Sequence, residues 1–271
     1  MLGRRGGRLH PRAPRPALPP PRRGSRGPAG RRGLEGGMSN ERRDQLAANL
    51  ETVRDRIAAA CADAGRDPAD VRLVVVTKFF PASDVRLLAE LGVTDVGENR
   101  HQEAESKAAE CADLGLRWHF IGGLQSNKAA AVAEYADVVE SVDRLKLVGP
   151  LGRGAQRRDV PVEVLLQVSL DPPGAEGRSG ADPADLPALA GAVEQAAGLR
   201  LRGLMAVAPL GEDPAAAFAR LADLRRDFLL ERPDATWLSA GMSADLEDAV
   251  RVGATHVRIG SAVLGSRPRF K

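Results

Sequence analysis

The chain has 271 residues, 43% hydrophobic but only 3% aromatic, so it can bury one sizeable core, built from Ala, Val, Leu and Ile. Its net charge of +3 belongs to one end. Residues 1–37 hold ten arginines against Glu35 alone, leaving 29 basic and 35 acidic residues elsewhere, and an acidic body gives no support to a nucleic-acid partner.

No run approaches the roughly 20 apolar residues of a membrane span, so no membrane association is expected. Cys61 and Cys111 are far apart and match no metal or redox spacing, which points to a reducing cytosol. His10, His101, His119 and His256 do not cluster at ligand spacing, and no metal site is expected.

In chain order, Met1–Gly37 is Arg-, Pro- and Gly-rich with little to bury, and is predicted to be a disordered tail. It lacks the apolar centre of a secretory signal and the amphipathic, Ser-rich pattern of a transit peptide. Met38 is therefore expected to be the natural start, with residues 38–271 forming the folded domain. Ser39 can cap a helix whose apolar positions Leu46, Leu50, Val53, Ile57 and Ala60 recur at helical spacing until Gly65 ends it.

Val71–Lys78 follows, an almost unbroken β-branched run that stops at a lysine. Such a run reads as a parallel strand buried on both faces. A lysine at its end opens onto the ligand face of an α/β fold, where desolvation lowers its pKa and readies a neutral amine for Schiff-base chemistry. A lysine that only caps the strand and points at water is the plain alternative.

Helices and strands then alternate. Helices are predicted over 81–91, 99–112, 126–135, from Asp143, 183–197, 214–230 and 244–252. Strands are predicted over 93–97, 117–121, 137–140, 160–168, 201–207, 236–239 and 256–260, and a Gly-rich loop spans 171–180. Eight βα units in this length predict a single closed (β/α)8 TIM-type barrel with an extra N-terminal helix. An open doubly wound sheet is the alternative, and it lacks the G-x-G-x-x-G that should follow the first strand.

In such a barrel the site lies at the C-terminal strand ends. Those ends carry Lys78, Glu98, Asn99, His119, Ser141, Met205, Ser239, Met242, Ser243, Arg258, Gly260 and Ser261, with Gln125–Lys128 in the loop after the third strand. Ser239–Ser243 and Ile259–Ala262 both place glycine and hydroxyl residues where a helix begins, at the strand pair where barrels often hold a phosphate. A plain turn with a capping serine is the alternative at each. His119, Trp118 and Trp237 are read as barrel packing, with His119 hydrogen-bonded rather than a general base.

The segments Thr77-Lys78, Gly97-Glu98-Asn99, Trp118–Gly122, Leu124–Lys128, Arg202–Met205, Leu238–Ser243 and Val257–Gly260 together resemble the pyridoxal phosphate homeostasis protein family over residues 40 to 268. The resemblance implies the alanine racemase N-terminal barrel and pyridoxal 5′-phosphate held as a Schiff base on Lys78. It further implies Arg258 at the pyridine nitrogen, Ser243, Gly260 and Ser261 on the phosphate, and Asn99 near the ring. Met205, Ser239 and Met242 complete the expected cofactor-binding set, and no catalytic residue is assigned.

An arginine cannot give up its proton, so it leaves the ring nitrogen unprotonated and the cofactor a weaker electron sink. That suits a carrier better than a racemase. Three positions depart from the family pattern: Arg100 replaces a tyrosine, Arg178 a lysine in the Gly-rich loop, and Gly123 a proline. The function implied is cytoplasmic cofactor homeostasis, a monomer supplying PLP-dependent apo-enzymes. The alternative is an amino-acid racemase of the alanine racemase type, which needs a second acid/base that the lone Tyr135, in a predicted helix, is not placed to supply.

Overall fold

The computed structural model describes residues 31–171 and 180–266, with side chains from Asn40 onward. Eight strands pair in parallel and in chain order: β1 (Arg72–Val76), β2 (Asp95–Glu98), β3 (Arg117–Phe120), β4 (Val138–Val142), β5 (Val162–Gln167), β6 (Leu199–Met205), β7 (Trp237–Ser239) and β8 (His256–Ile259). β8 returns to β1, with Val75 opposite Ile259, so the sheet is a closed barrel and the open-sheet alternative is excluded.

Helices alternate with the strands: α1 (Arg31–Asp63), α2 (Ala82–Glu90), α3 (His101–Glu110), α4 (Ala129–Tyr135), α5 (Leu145–Ala155), α6 (Leu186–Gln195), α7 (Pro214–Glu231), α8 (Leu246–Arg251) and α9 (Ser261–Leu264). Residues 41–271 form one compact unit, which contains the barrel.

The differences from expectation are local. The N-terminal helix begins at Arg31 rather than Ser39. No proline lies between Arg31 and Ser39, so the backbone there can continue the helix toward its N-terminus. Residues 1–30, most of the expected tail, lie outside the described residues, as do residues 172–179 of the Gly-rich loop. β1 ends at Val76, because the chain turns through Lys78 and Phe79. α4 begins three residues late, because Lys128 N bonds Gln125 O at 2.9 Å in a turn ahead of it.

The core between strands and helices forms two apolar clusters. One packs β4 to β7 against α4 to α7 around Leu147, Leu166 and Phe218. The other packs β1 to β3 and β8 against α1 and α2, and there Leu46, Leu50, Val53, Ile57 and Ala60 form the buried stripe of α1 that their spacing predicts. Inside the barrel the apolar filling is small, with Val138, Leu165 and Met205 in one cluster, and polar side chains take up other interior positions.

α4 and α5 approach through Gly154. Replacing a helical glycine by alanine ordinarily stabilises by about 1 kcal/mol. Here the new Cβ would lie 2.1 Å from the Ala130 carbonyl oxygen. Overpacking costs about 1–3 kcal/mol and should win. Gly154→Ala is expected to lower the urea midpoint; an unchanged or higher midpoint would show that the two helices have room.

Candidate functional site

The turn after β1 is held from several sides. Thr77 is fully buried; its N–H donates to Gly97 O at 3.0 Å and its hydroxyl to Glu98 Oε1 at 2.6 Å. Lys107, buried on α3, donates to Thr77 O at 2.8 Å, Glu98 Oε1 at 2.7 Å and Glu103 Oε1 at 2.7 Å. Glu103 Oε1 also takes the Phe79 N–H at 2.6 Å.

Half-buried Lys78 therefore sits between two anchored peptide units. Phe79 has φ +71°, the one non-glycine residue with positive φ among the described residues. A bulky side chain there costs energy and persists only where its surroundings enforce it, a pattern concentrated at functional sites. Burial pushes the Glu98 carboxyl up, and the Lys107 ammonium opposes that shift.

A second arrangement crosses the barrel interior. Buried Arg258 donates from Nη1 to Ser239 Oγ at 2.6 Å and from Nη2 to Ala206 O at 2.9 Å. Ser239 Oγ donates to Glu140 Oε2 at 2.6 Å, and Arg258 Nη1 lies 3.9 Å from the same oxygen. Glu140 Oε1 is 2.7 Å from His119 Nδ1, and His119 Nε2 is 2.9 Å from Asp95 Oδ1. Asp95 is met in turn by Arg72 at 3.2 Å and Arg117 at 3.7 Å.

Six strands contribute side chains to this line. Both ring nitrogens of His119 face carboxylates, an arrangement that favours the imidazolium, in which both nitrogens donate. Burial alone would lower its pKa, but the two carboxylates raise it overall. Hydrogen bonding and the His119 charge, against burial, hold Glu140 down at about 2 and Asp95 well below the usual carboxylate range. Burial lowers the Arg258 guanidinium, and Glu140 and Asp245 oppose that shift.

The phosphate-like turns meet at the mouth. Ser261 Oγ and Ser243 Oγ are 3.5 Å apart. Gly260 lies beside the end of β1; a Cβ there would be 3.3 Å from Val76 O, which brings the Ser261 turn alongside the Lys78 turn. α1 braces both turns from three residues at seven-residue spacing. Arg42 Nη2 donates to Leu264 O at 3.1 Å, Asn49 Nδ2 to Val263 O at 2.8 Å and Arg56 Nη2 to Ser243 O at 3.1 Å.

Of the residues expected at the site, the structure thus brings Ser239 to Arg258, and Ser243 to Ser261. Ser239, however, is fully buried with its hydroxyl taken up by Glu140 and Arg258. Met205 packs in the interior cluster, and Met242 is 39% exposed on its loop, its N–H donating to Asp245 Oδ1. Asn99 stands just past β2, its Oδ1 buried without a hydrogen-bond partner.

His119 is hydrogen-bonded, as read from the sequence. Trp118 is buried in the outer core, and half-buried Trp237 packs on the inner cluster. Sequence reasoning missed Glu103, Lys107, Asp95 and Glu140. The Glu103–Lys107 pair has i,i+4 spacing, and Glu140 sits within the run Val138–Val142, so both left a readable signal.

The geometry defines a (β/α)8 barrel with a lysine-bearing strand end, an interior arginine and paired serines at its C-terminal mouth. Residues 42–268 match the alanine racemase N-terminal domain family. The pyridoxal phosphate homeostasis protein of Pseudomonas aeruginosa is 49% identical over 225 residues, covering 82% of this chain and 96% of its own. Its namesake in Escherichia coli K12 is 37% identical over 238 residues, covering 84% and 99%.

PipY of Synechococcus elongatus, solved with PLP bound, superposes with TM-score 0.70 at 37% identity, covering 81% of this chain and all of that one. An alanine racemase of Clostridium difficile shares the fold at TM-score 0.62 and 15% identity. The chain belongs to the pyridoxal phosphate homeostasis protein family.

The buried charges give a pH signature. The raised pKa of His119 contributes stability that is complete below its ordinary 6.5 and is lost as pH rises through the folded value. The lowered carboxylates contribute stability present above their ordinary values and lost as pH falls through the folded ones. His256, lowered by burial to about 4, should be neutral at pH 6. Nitrogen-15 NMR at pH 7.5 is expected to show both His119 nitrogens protonated and one His256 nitrogen bare; a neutral His119 would overturn the charge assignment.

Proposed function

We propose that this chain binds pyridoxal 5′-phosphate at the C-terminal mouth of the barrel, holds it through Lys78, and serves its homeostasis and supply without strong catalysis. The anchored, strained turn that presents Lys78 beside the Gly260–Ser261 turn carries the reading. The residues present suit the cofactor. Asn99 Oδ1 and Ser141 Oγ, after β2 and within β4, are buried polar atoms without partners, and Ser243 and Ser261 converge two hydroxyls.

In this reading Ser243, Ser261 and the backbone of the Gly260 turn bind the phosphate. Arg258, fixed in charge and direction by Ser239 and Ala206, meets the ring nitrogen as a donor and leaves it unprotonated. Asn99 lies by the ring. Ser239 acts through Arg258, and Met205 closes the pocket floor. Lys78 supplies the amine, its backbone immobilised by Lys107, Glu98 and Glu103. When bound, pyridoxal phosphate supplies an aldehyde that condenses with amines and a ring that withdraws electrons.

The names of the relatives and the PLP bound to PipY support cofactor binding. A racemase needs a second acid/base. Tyr135, at the end of α4, lies 3.5 Å from His101 Nδ1, and burial pushes its phenol up, away from service as a base. A monomer in the cytosol that hands the cofactor to apo-enzymes completes the proposal; no helix among the described residues is long and apolar enough to cross a membrane.

Borohydride reduction of the PLP-treated protein, followed by peptide mapping, is expected to place the cofactor's mass on Lys78, with Lys78→Ala losing both the label and the visible band. Absence of a band in the wild type would sink the binding reading. Clear loss of L-alanine optical rotation would replace the homeostasis reading by the racemase.

A further inference from the structure

The opposite mouth of the barrel has a cavity of about 460 Å³ at the start of β1, β7 and β8, lined by Arg66, Arg72, Arg225, Thr255 and His256, with Asp70 its one acidic side chain. Arg72 and Lys78 are six residues apart, about 20 Å at roughly 3.3 Å per residue, so this cavity is separate from the cofactor site.

Arg72 is paired to Asp95, but the other two arginines are poorly neutralised. Arg66 donates to Val250 O at 2.8 Å and Arg225 to Thr236 O at 2.7 Å, and neither forms an ion pair among the described residues. The two repel each other: burial and the Arg66 charge both lower the Arg225 guanidinium. Arg225 Nε is buried and has no partner, although an arginine nitrogen can only donate.

His256, 3% exposed, adds another unmet atom. Its Nδ1 lies 2.8 Å from Thr255 Oγ1, and its Nε2 has no partner. The Thr255 hydroxyl also reaches Leu238 O at 3.3 Å; when its one proton goes to Nδ1 instead, Nε2 carries the ring proton and becomes a further donor. Gly253 has φ +95°, and a Cβ there would lie 3.2 Å from Arg225 Nη1, so the glycine keeps space beside the guanidinium.

Two guanidinium groups without an ion-pair partner, one with an unmet N–H, call for an anion, and the planar fork of arginine matches phosphate oxygens. We propose that this cavity is a second ligand site, for a small phosphate-bearing anion bound between Arg66 and Arg225 with Arg72 at its rim. The volume lies in the range of small-molecule sites rather than that of one bare ion. The assignment is independent of cofactor binding at the other mouth.

Calorimetric titration with inorganic phosphate tests it, at constant ionic strength against chloride. The upper serines also bind phosphate in the reading above, so two double variants separate the sites. Ser243→Ala/Ser261→Ala is expected to keep phosphate binding. Arg66→Gln/Arg225→Gln is expected to weaken the remaining event by about tenfold or more, the loss of a charge-assisted hydrogen bond.

Binding unchanged in the arginine variant, or matched by chloride, overturns the site. Because loss of two part-buried arginines can also disturb folding, hydrogen exchange on the wild-type protein is the second measure. Phosphate should protect the segments 66–72 and 253–256, and no protection there also overturns the proposal.

Discussion

A guanidinium sealed inside a barrel cannot discard its proton, so the groups around Arg258 must answer its charge. Ser239 and the Ala206 carbonyl take its hydrogen bonds, and Glu140 supplies the counter-charge 3.9 Å away. Glu140 is itself buried and needs His119 on its other oxygen, and His119, then cationic, needs Asp95. The sequence of opposite charges ends only where Arg72 and Arg117 reach solvent. The barrel gives up apolar filling to hold this line, and in return it presents an arginine of fixed charge and direction.

The lysine turn is built on the same rule at shorter range. A buried ammonium, Lys107, is satisfied by two carboxylates and a carbonyl, and two of those acceptors also hold the Thr77 and Phe79 positions. The unfavourable φ of Phe79 is sustained by that network. α1, outside the eight-fold repeat, ties down the carbonyls of the two serine-bearing turns. The mouth is therefore braced from α3 on one side and α1 on the other.

Much of this was legible. The β-branched run of β1 and the Gly-Ser turns after β7 and β8 each announced a strand end, and eight such ends announced a closed barrel. Cross-strand partnership was not legible. Ser239 reads as a mouth residue by position, yet its hydroxyl is committed to Glu140, 99 residues away. Met205 reads likewise, but its strand delivers it to the interior packing. Sequence order tells which residues sit at a strand end; which of them turn inward to meet a charge depends on barrel closure, a property of all eight strands together.

The alternating charge line also constrains how the chain can drift over evolutionary time. Losing His119 alone would leave two carboxylates facing each other in the interior; losing Glu140 alone would leave an imidazolium and a guanidinium without their shared partner. A single replacement along the line leaves a buried charge unanswered, whereas a paired one need not. Relatives that differ here should differ at two linked positions at once, so that the interior polar residues change as a set while the apolar residues of the surrounding helices vary one by one.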